Sequence, residues 1–393
     1  MSSRAEIHLP GGAGGDPSRV RALASQHRGP IVVPGPAVDE YDVTFVYHDR
    51  AGTVESAALI CPALSGAVAA MAALGEATFA VTATLPAGTR VKYHYCPDPE
   101  PEADPFHLVY SATRRRLDPF NPSFDQIHIP SLRARICDSL LALPGAAPDP
   151  RPPRGRREPR HGRARSESLR SAVLGTAKTV TVFRPYADPR GRVMVLFTGA
   201  NEWGDPALLF DGLQELGTPF IGIAVGAEHY TAHLRDLGRR DGCLGEFVVG
   251  ELLPTLAPDA RDCAVAGFSA AAVAALTAAC ERRDILGPAI LVSGAFHLTE
   301  RMDVLHRGRA VEDAGTRVRI AAAVPAAVYL AAGQFEDPGS ASDFSASAQV
   351  AAALRERGSC VRLDTGPTGH DTVSARVYLG EGVRWWCAGE SQV

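Results

Sequence analysis

The sequence lacks the cysteine pattern of a metal site or of a disulfide-stapled protein. Its eight cysteines are dispersed between Cys61 and Cys387, with no Cys-x-x-Cys pair and no histidine spaced to complete a zinc site. Scattered single cysteines are typical of buried thiols in a reducing compartment. We therefore expect no bound metal, no organic cofactor and no disulfide framework.

A strong net charge is also missing. The 40 basic and 44 acidic residues give a formal net charge of −4, so no whole-chain field points to nucleic acid or to a membrane surface. One arginine-rich block, residues 150–165, could bind phosphate, but no aromatic residue interleaves its charges. The charge pattern therefore favours a small-molecule partner.

Long hydrophobic runs are absent as well. Residues 1–39 contain no apolar segment behind a basic start, which argues against a signal peptide. The longest apolar stretch, Cys263 to Cys280, is rich in alanine and is interrupted by Gly267 and Ser269, so a strand, a turn and a helix explain it better than a membrane span. We expect no transmembrane segment and a cytoplasmic location.

The chain is long enough for two domains, because 46% of its 393 residues are hydrophobic. Residues 1–37 are rich in Gly, Pro and Ala and are predicted to form a flexible arm. Short β-type runs separated by turn residues predict a small N-terminal β-sandwich over residues 38–125. Residues 126–168 include the proline- and arginine-rich block, which can neither bury surface nor hold a helix, so we expect a solvated linker there.

Strands and helices alternate over residues 169–393, which predicts a doubly wound, mostly parallel sheet of the α/β class. Ligand sites in such sheets lie at the carboxyl ends of the strands. The predicted strands are 179–183, 193–198, 220–225, 263–267, 289–293, 328–332 and 360–364.

Ser269 follows the fourth of these strands and precedes an alanine-rich helix. Gly267 permits a sharp turn at this point. The pattern is typical of a nucleophile elbow, which exposes a serine hydroxyl at the mouth of the sheet and aims the next backbone N–H at a developing oxyanion. Ser269 is therefore the candidate nucleophile and the amide of Ala270 the candidate oxyanion donor; the alternative is a small residue packed at a strand–helix junction.

A hydrolase of this kind needs a carboxylate and then a histidine further along the chain. Glu336 follows the predicted strand 328–332 and is the candidate acid, in competition with Asp337 and Asp343. His370 lies in a glycine-rich loop after the last predicted strand and is the candidate general base. The alternatives are a solvated loop acid and a surface-loop histidine.

Four further residues are candidates for substrate binding. Arg239 and Arg240 follow the third strand and could line a pocket for an anionic substrate, although a solvated helix face would look the same. Trp203 and His297 could supply flat walls for an aromatic acyl group, with core packing as the alternative.

Several segments together carry a resemblance to a known family. They are Val43-Thr44-Phe45, the Asp-Pro-x-Asn-Pro element at 118–122, the Ser269 elbow, Ser293-Gly294 and Gly369-His370-Asp371. Over roughly residues 40–390 the chain resembles the enterochelin esterases, which hydrolyse ferric-siderophore trilactones and consist of an N-terminal sandwich and an α/β-hydrolase domain. The resemblance implies an α/β-hydrolase domain over 169–393 and a serine esterase site of Ser269, His370 and Glu336.

The chain departs from the family at the elbow and near the oxyanion loop. Ala271 and Ala272 stand where the family usually has two glycines, which predicts tighter strand–helix packing. Thr198-Gly199 stands where the family has Asp-Gly. The second oxyanion donor is expected to be the amide of Gly199 or Ala200.

A further departure concerns the substrate. The family often has an aromatic residue after the Ser-Gly segment, whereas Phe296 is followed here by His297, so the substrate preference is expected to differ from enterobactin. The leading hypothesis is hydrolysis of the ester bonds of a ferric or apo siderophore. The alternatives are an esterase or thioesterase that acts on another acylated or cyclic natural product, and a non-catalytic degenerate esterase that only binds a ligand.

Overall fold

The structure is a computed structural model of the chain. It describes residues 16–64, 67–99, 114–129, 134–151, 156–198, 205–226, 243–296, 321, 323–336 and 343–389.

Two small antiparallel sheets form the first part of the chain, which we call the N-terminal β region. Their strand orders are β1-β2-β6-β5 and β4-β3-β7-β9-β8. The strands are β1 (Ile31–Pro34), β2 (Glu40–His48), β3 (Ala57–Ile60), β4 (Val68–Ala70), β5 (Ala72–Gly75), β6 (Thr78–Pro86), β7 (Arg90–Pro97), β8 (Phe124–Ile129) and β9 (Ala134–Ala142).

A shared hydrophobic core joins the two sheets. Val43 and Phe45 alternate along β2 and meet Tyr93 and Tyr95 of β7 in one buried cluster. The ring centroids of Phe45 and Tyr93 lie 5.0 Å apart in an edge-to-face arrangement, a geometry that aromatic pairs prefer. Residues two apart on a strand point to the same side, so both sheets contribute side chains to this one cluster.

Residues 16–34 differ from the flexible arm expected over 1–37. Helix α1 (Pro17–His27) begins there, with the Asp16 side chain accepting hydrogen bonds from the Ser18 and Arg19 amides. Val20 and Ala24 are fully buried against β1 and β2. An N-cap followed by proline is a helix start signal, and it outweighs the Gly- and Pro-rich composition of the segment.

The larger sheet has eight strands in the order β10-β11-β13-β12-β14-β15-β16-β17, and it confirms the α/β class. Its first two ladders are antiparallel and the rest are parallel. The strands are β10 (Gly162–Arg170), β11 (Ala177–Pro185), β12 (Arg192–Phe197), β13 (Ile221–Gly226), β14 (Asp262–Phe268), β15 (Leu286–Val292), β16 (Ala327–Gly333) and β17 (Cys360–Gly366).

Helices cover both faces of this sheet. Alternate residues of β14 enter two different buried clusters, Val265 on one face and Ala266 on the other, as expected for a buried parallel sheet. The helices are α2 (Pro206–Gln214), α3 (Cys243–Glu246), a π-helical turn (Phe247–Leu252), α4 (Leu253–Leu256), α5 (Ala270–Glu281), α6 (Asp343–Glu356) and α7 (Thr372–Cys387). Within the residues described, no helix is long and apolar enough to cross a membrane.

The expected linker, residues 126–168, also contains regular structure. Strand β9 and most of β10 lie within it, and β10 pairs with β11 at the edge of the large sheet. The buried Asp211 carboxylate of α2 accepts hydrogen bonds from the Arg160 and His161 amides at 2.8 and 2.7 Å and from the Arg156 guanidinium at 3.1 Å. Long-range partners therefore order a segment whose local composition favours a solvated linker.

This arrangement predicts that Asp211→Ala destabilises the fold. The substitution leaves a partly buried guanidinium and two backbone N–H groups without their acceptor, so we expect a loss of roughly 3 kcal/mol in the free energy of unfolding. Glu215→Ala is the control, because the Glu215 side chain is 54% exposed and lies 3.1 Å from the ring of His161, which is exposed as well. Urea titration measures both variants, and equal midpoints would contradict the anchoring role of Asp211.

Candidate functional site

Ser269 lies at a strained turn between β14 and α5. Its backbone has φ 57° and ψ −126°, a conformation that non-glycine residues rarely adopt and that clusters at functional sites. Two hydrogen bonds hold the turn: the Ser269 amide donates to the Val292 carbonyl at 3.0 Å, and the Ala295 amide donates to the Ser269 carbonyl at 3.1 Å. The predicted elbow geometry is therefore present.

Close packing makes glycine necessary just before this turn. A Cβ atom on Gly267 would lie 2.2 Å from the Ala271 carbonyl oxygen and 2.6 Å from the Ala272 nitrogen. Ala271 and Ala272 themselves are 1% and 0% exposed and pack in the core cluster beneath the helix. Both alanine methyl groups are thus accommodated in the core.

His370 lies beside the serine, in the loop between β17 and α7. Its Nε2 atom is 3.1 Å from the Ser269 Oγ atom, which is hydrogen-bond distance. The ring also lies against Phe268, with 4.8 Å between ring centroids. The Asp371 carboxylate caps α7 by accepting hydrogen bonds from the Val373 and Ser374 amides, so the histidine stands at a fixed helix start.

Glu336 lies behind the histidine, in the turn that follows β16. Its Oε2 atom is 3.7 Å from the Nδ1 atom of His370, and its side chain is fully buried. The other oxygen, Oε1, accepts hydrogen bonds from the Ser293 hydroxyl and the Gly333 amide, both at 2.5 Å. These bonds fix the carboxylate in a position where it would stabilise an imidazolium.

Ser293 is a site residue whose contact with Glu336 was not predicted from the sequence. It follows β15 and has a positive φ of 46°, and its amide donates to the Ala331 carbonyl at 2.7 Å. Its side chain is fully buried where it holds Glu336. The available signal was its place at a strand end, the same place that Ser269 occupies one strand earlier.

Of the other predicted site residues, Ala270 and Asp343 lie within the described ranges. Ala270 begins α5, so its amide lies among the N-terminal N–H groups that have no acceptor within a helix. Asp343 begins α6. The residues that lie outside the described ranges are Gly199, Ala200, Trp203, Arg239, Arg240, His297 and Asp337. In the part of the chain that is described, no group of three or more His, Cys, Asp or Glu side chains could hold a metal ion.

The structure is similar to solved structures of enterobactin esterases. It matches the ferric enterobactin esterase from Salmonella typhimurium with a TM-score of 0.75 and 20% identity, covering 95% of this chain and 100% of that one. A Shigella flexneri enterobactin esterase structure, obtained in the presence of enterobactin, matches with a TM-score of 0.72 and 18% identity, covering 95% and 98%. The sequence matches no family model and no curated protein.

At these identities the similarity establishes a shared fold. Because it covers 95% of the chain, it includes the N-terminal β region as well as the large sheet. The resemblance to the enterochelin esterases is therefore confirmed at the level of the fold.

Gly267→Ala tests the packing at the turn. The new methyl group would collide with the first turn of α5, so we expect a loss of roughly 1–3 kcal/mol in the free energy of unfolding. Gly226→Ala is the matched control at another strand end, where the one contact of a Cβ atom within the described residues would be with the Thr179 carbonyl oxygen at an ordinary 3.6 Å. Urea unfolding compares the two, and a Gly267→Ala variant as stable as the control would show that the turn is not closely packed.

Proposed function

We propose that the chain is a serine esterase, with Ser269 as nucleophile, His370 as general base and Glu336 as the acid that orients the base. The observation that carries the proposal is the 3.1 Å contact between His370 Nε2 and Ser269 Oγ at a positive-φ turn. A hydroxyl held next to an imidazole at a strand end is the arrangement that acyl transfer requires.

In the proposed reaction His370 takes the Ser269 proton at Nε2 while the serine oxygen attacks an ester carbonyl. Glu336 keeps the Nδ1 proton of His370 directed toward Oε2 and stabilises the imidazolium that forms. Collapse of the tetrahedral intermediate expels the alcohol, which receives the proton from His370, and leaves an acyl group on Ser269. Water activated by His370 then releases the acid and restores the serine.

Negative charge that develops on the carbonyl oxygen needs hydrogen-bond donors. The Ala270 amide at the start of α5 is the proposed first donor, since a helix N-terminus favours an anion. The proposed second donor is the amide of Gly199 or Ala200. Loss of one such donor typically costs on the order of 10²–10³ in kcat.

The proposed substrate is a siderophore-like ester, in ferric or apo form, whose trilactone bonds are cleaved to release iron. This part of the proposal is supported by the fold shared over 95% of the chain with an esterase described as a ferric enterobactin esterase. We further propose that the N-terminal β region is a β-sandwich domain and that residues 169–393 form the α/β-hydrolase domain. Trp203, His297, Arg239 and Arg240 are the proposed contacts of an aromatic, anionic acyl group.

The first test is hydrolysis of a ferric tris-catecholate trilactone by the wild type and by Ser269→Ala, followed by chromatography and mass spectrometry. We expect the wild type to release linear fragments and Ser269→Ala to be slower by at least about 10³-fold, because the nucleophile is lost. An intact trilactone with cleavage of a p-nitrophenyl ester would favour another natural-product ester as substrate. Failure to cleave either ester, together with no labelling of Ser269 by a fluorophosphonate, would favour a non-catalytic ligand binder.

A second test concerns the acid. Glu336→Gln keeps the shape of the side chain but removes its charge, so we expect kcat to fall by about 10³–10⁴-fold, as for a triad carboxylate elsewhere. Asp337→Asn is the matched control and should leave kcat unchanged. Steady-state kinetics on one ester substrate distinguish the two residues, and the reverse pattern would assign the acid to Asp337.

A further inference from the structure

Both loops that carry the proposed acid and base contact the N-terminal β region. Phe335, the neighbour of Glu336, packs against the hydrophobic core shared by the two small sheets. Gly369, the neighbour of His370, lies so close to Pro62 that a Cβ atom on the glycine would be 2.9 Å from the Pro62 Cβ atom. The N-terminal β region thus reaches the residues directly adjoining the site.

A buried polar contact makes the same connection on the other side of His370. Thr372 is the first residue of α7, two residues after the histidine. Its hydroxyl accepts a hydrogen bond from Lys92 Nζ of β7 at 2.6 Å and donates one to Asp125 Oδ2 of β8 at 3.0 Å. Lys92 and Asp125 also contact each other at 2.6 Å, which closes a three-membered ring of polar contacts.

Further charges complete this cluster. Arg376, one turn along α7, lies 3.5 Å from Asp125 and 2.8 Å from Asp149, and Arg151 lies 2.7 Å from Asp125. Burial raises the pKa of Asp125, but the cations Lys92, Arg376 and Arg151 outweigh that effect and hold its pKa well below the usual range. Asp125 is therefore ionised near neutral pH, where the cluster keeps its charges.

Because this cluster is buried, its charged groups resist separation. Lys92, Asp125 and Arg376 are 7%, 1% and 1% exposed, so separating them would leave uncompensated charges in a low-dielectric interior. The start of α7 is consequently held against β7 and β8. His370 lies two residues before α7, so its 3.1 Å contact with Ser269 depends on where α7 begins. A misplacement of about 1 Å can cost about 10² in rate.

We propose that Lys92 and Asp125 are positioning residues for His370 that act through Thr372, so that the N-terminal β region is part of the frame of the active site and not only its cover. The inference rests on the proposed esterase function. It assigns the positioning of His370 to the contacts of Thr372 with Lys92 and Asp125, which take no part in the proposed reaction themselves.

The main test compares Thr372→Val with Thr44→Val. Both substitutions remove a buried threonine hydroxyl, but Thr44 lies on β2 of the other small sheet, where its hydroxyl is 2.8 Å from that of Thr82. On a p-nitrophenyl ester we expect Thr372→Val to lower kcat on the order of 10-fold to 10²-fold with KM unchanged, because His370 is displaced from Ser269. Thr44→Val should keep the wild-type kcat, and Thr372→Ser should restore it.

The pH profile of kcat/KM supplies a readout that a loss of stability would not move. If His370 shifts away from Glu336, its cation is less stabilised, so the acid limb of the profile should move to lower pH in Thr372→Val. Thr44→Val should leave the limb in place.

A second pair of variants removes the charge itself. Asp125→Asn is compared with Asp118→Asn, since Asp118 is a similarly buried carboxylate of the N-terminal β region, whose Oδ2 atom accepts a hydrogen bond from the Tyr93 hydroxyl at 2.6 Å. We expect both to lower the melting temperature and only Asp125→Asn to lower kcat in the fraction that remains folded.

The outcomes separate this inference from the proposed function. An active wild type with a Thr372→Val variant that matches Thr44→Val in kcat and in the acid limb would overturn the positioning role alone. A wild type that is inert toward esters and toward fluorophosphonate would overturn the esterase proposal and this inference with it.

Discussion

The parallel pairing of β14, β15, β16 and β17 is the constraint on which the candidate site depends. Parallel ladders bring the carboxyl ends of these strands to one edge of the sheet, and one site residue follows each strand there. Ser269 follows β14, Ser293 follows β15, Glu336 follows β16 and His370 follows β17. The backbone hydrogen bonds of the sheet therefore set the distances among these side chains, and the loops need only short, well-anchored turns.

The features that depend on local pattern were predictable from the sequence. Apolar runs bounded by turn residues predicted every strand from β11 to β17 to within a few residues, as when 263–267 was expected and Asp262–Phe268 is observed. The elbow was predictable because Gly267 and the alanine run surround Ser269 in the sequence. Glu336 and His370 could be selected because each follows a strand. The structure places His370 beside Ser269 and Glu336 behind His370, while their roles stay part of the proposal.

The features that depend on distant partners were not predictable. Strand β10 was not predicted, because its segment is rich in arginine and is held in place by pairing with β11 and by hydrogen bonds to Asp211. The partners of Thr372 are 280 and 247 residues away in the sequence, and no local periodicity reveals such a pair. Helix α1 is a different case, since the Asp16 cap was a local signal that the composition of the segment concealed.

The buried charge cluster between β7, β8 and α7 has a consequence for how such a protein can change over generations. Lys92, Asp125 and Arg376 lie in one buried charge cluster built from two parts of the chain, so the loss of any one unbalances the charge that remains in a dry interior. Substitutions of Lys92 in β7 or of Asp125 in β8 would then be tolerated best together with a matching substitution at Arg376 in α7. Related chains should therefore vary at these positions as a group, and an N-terminal β region transplanted from a distant relative would need to bring its own α7 partners with it.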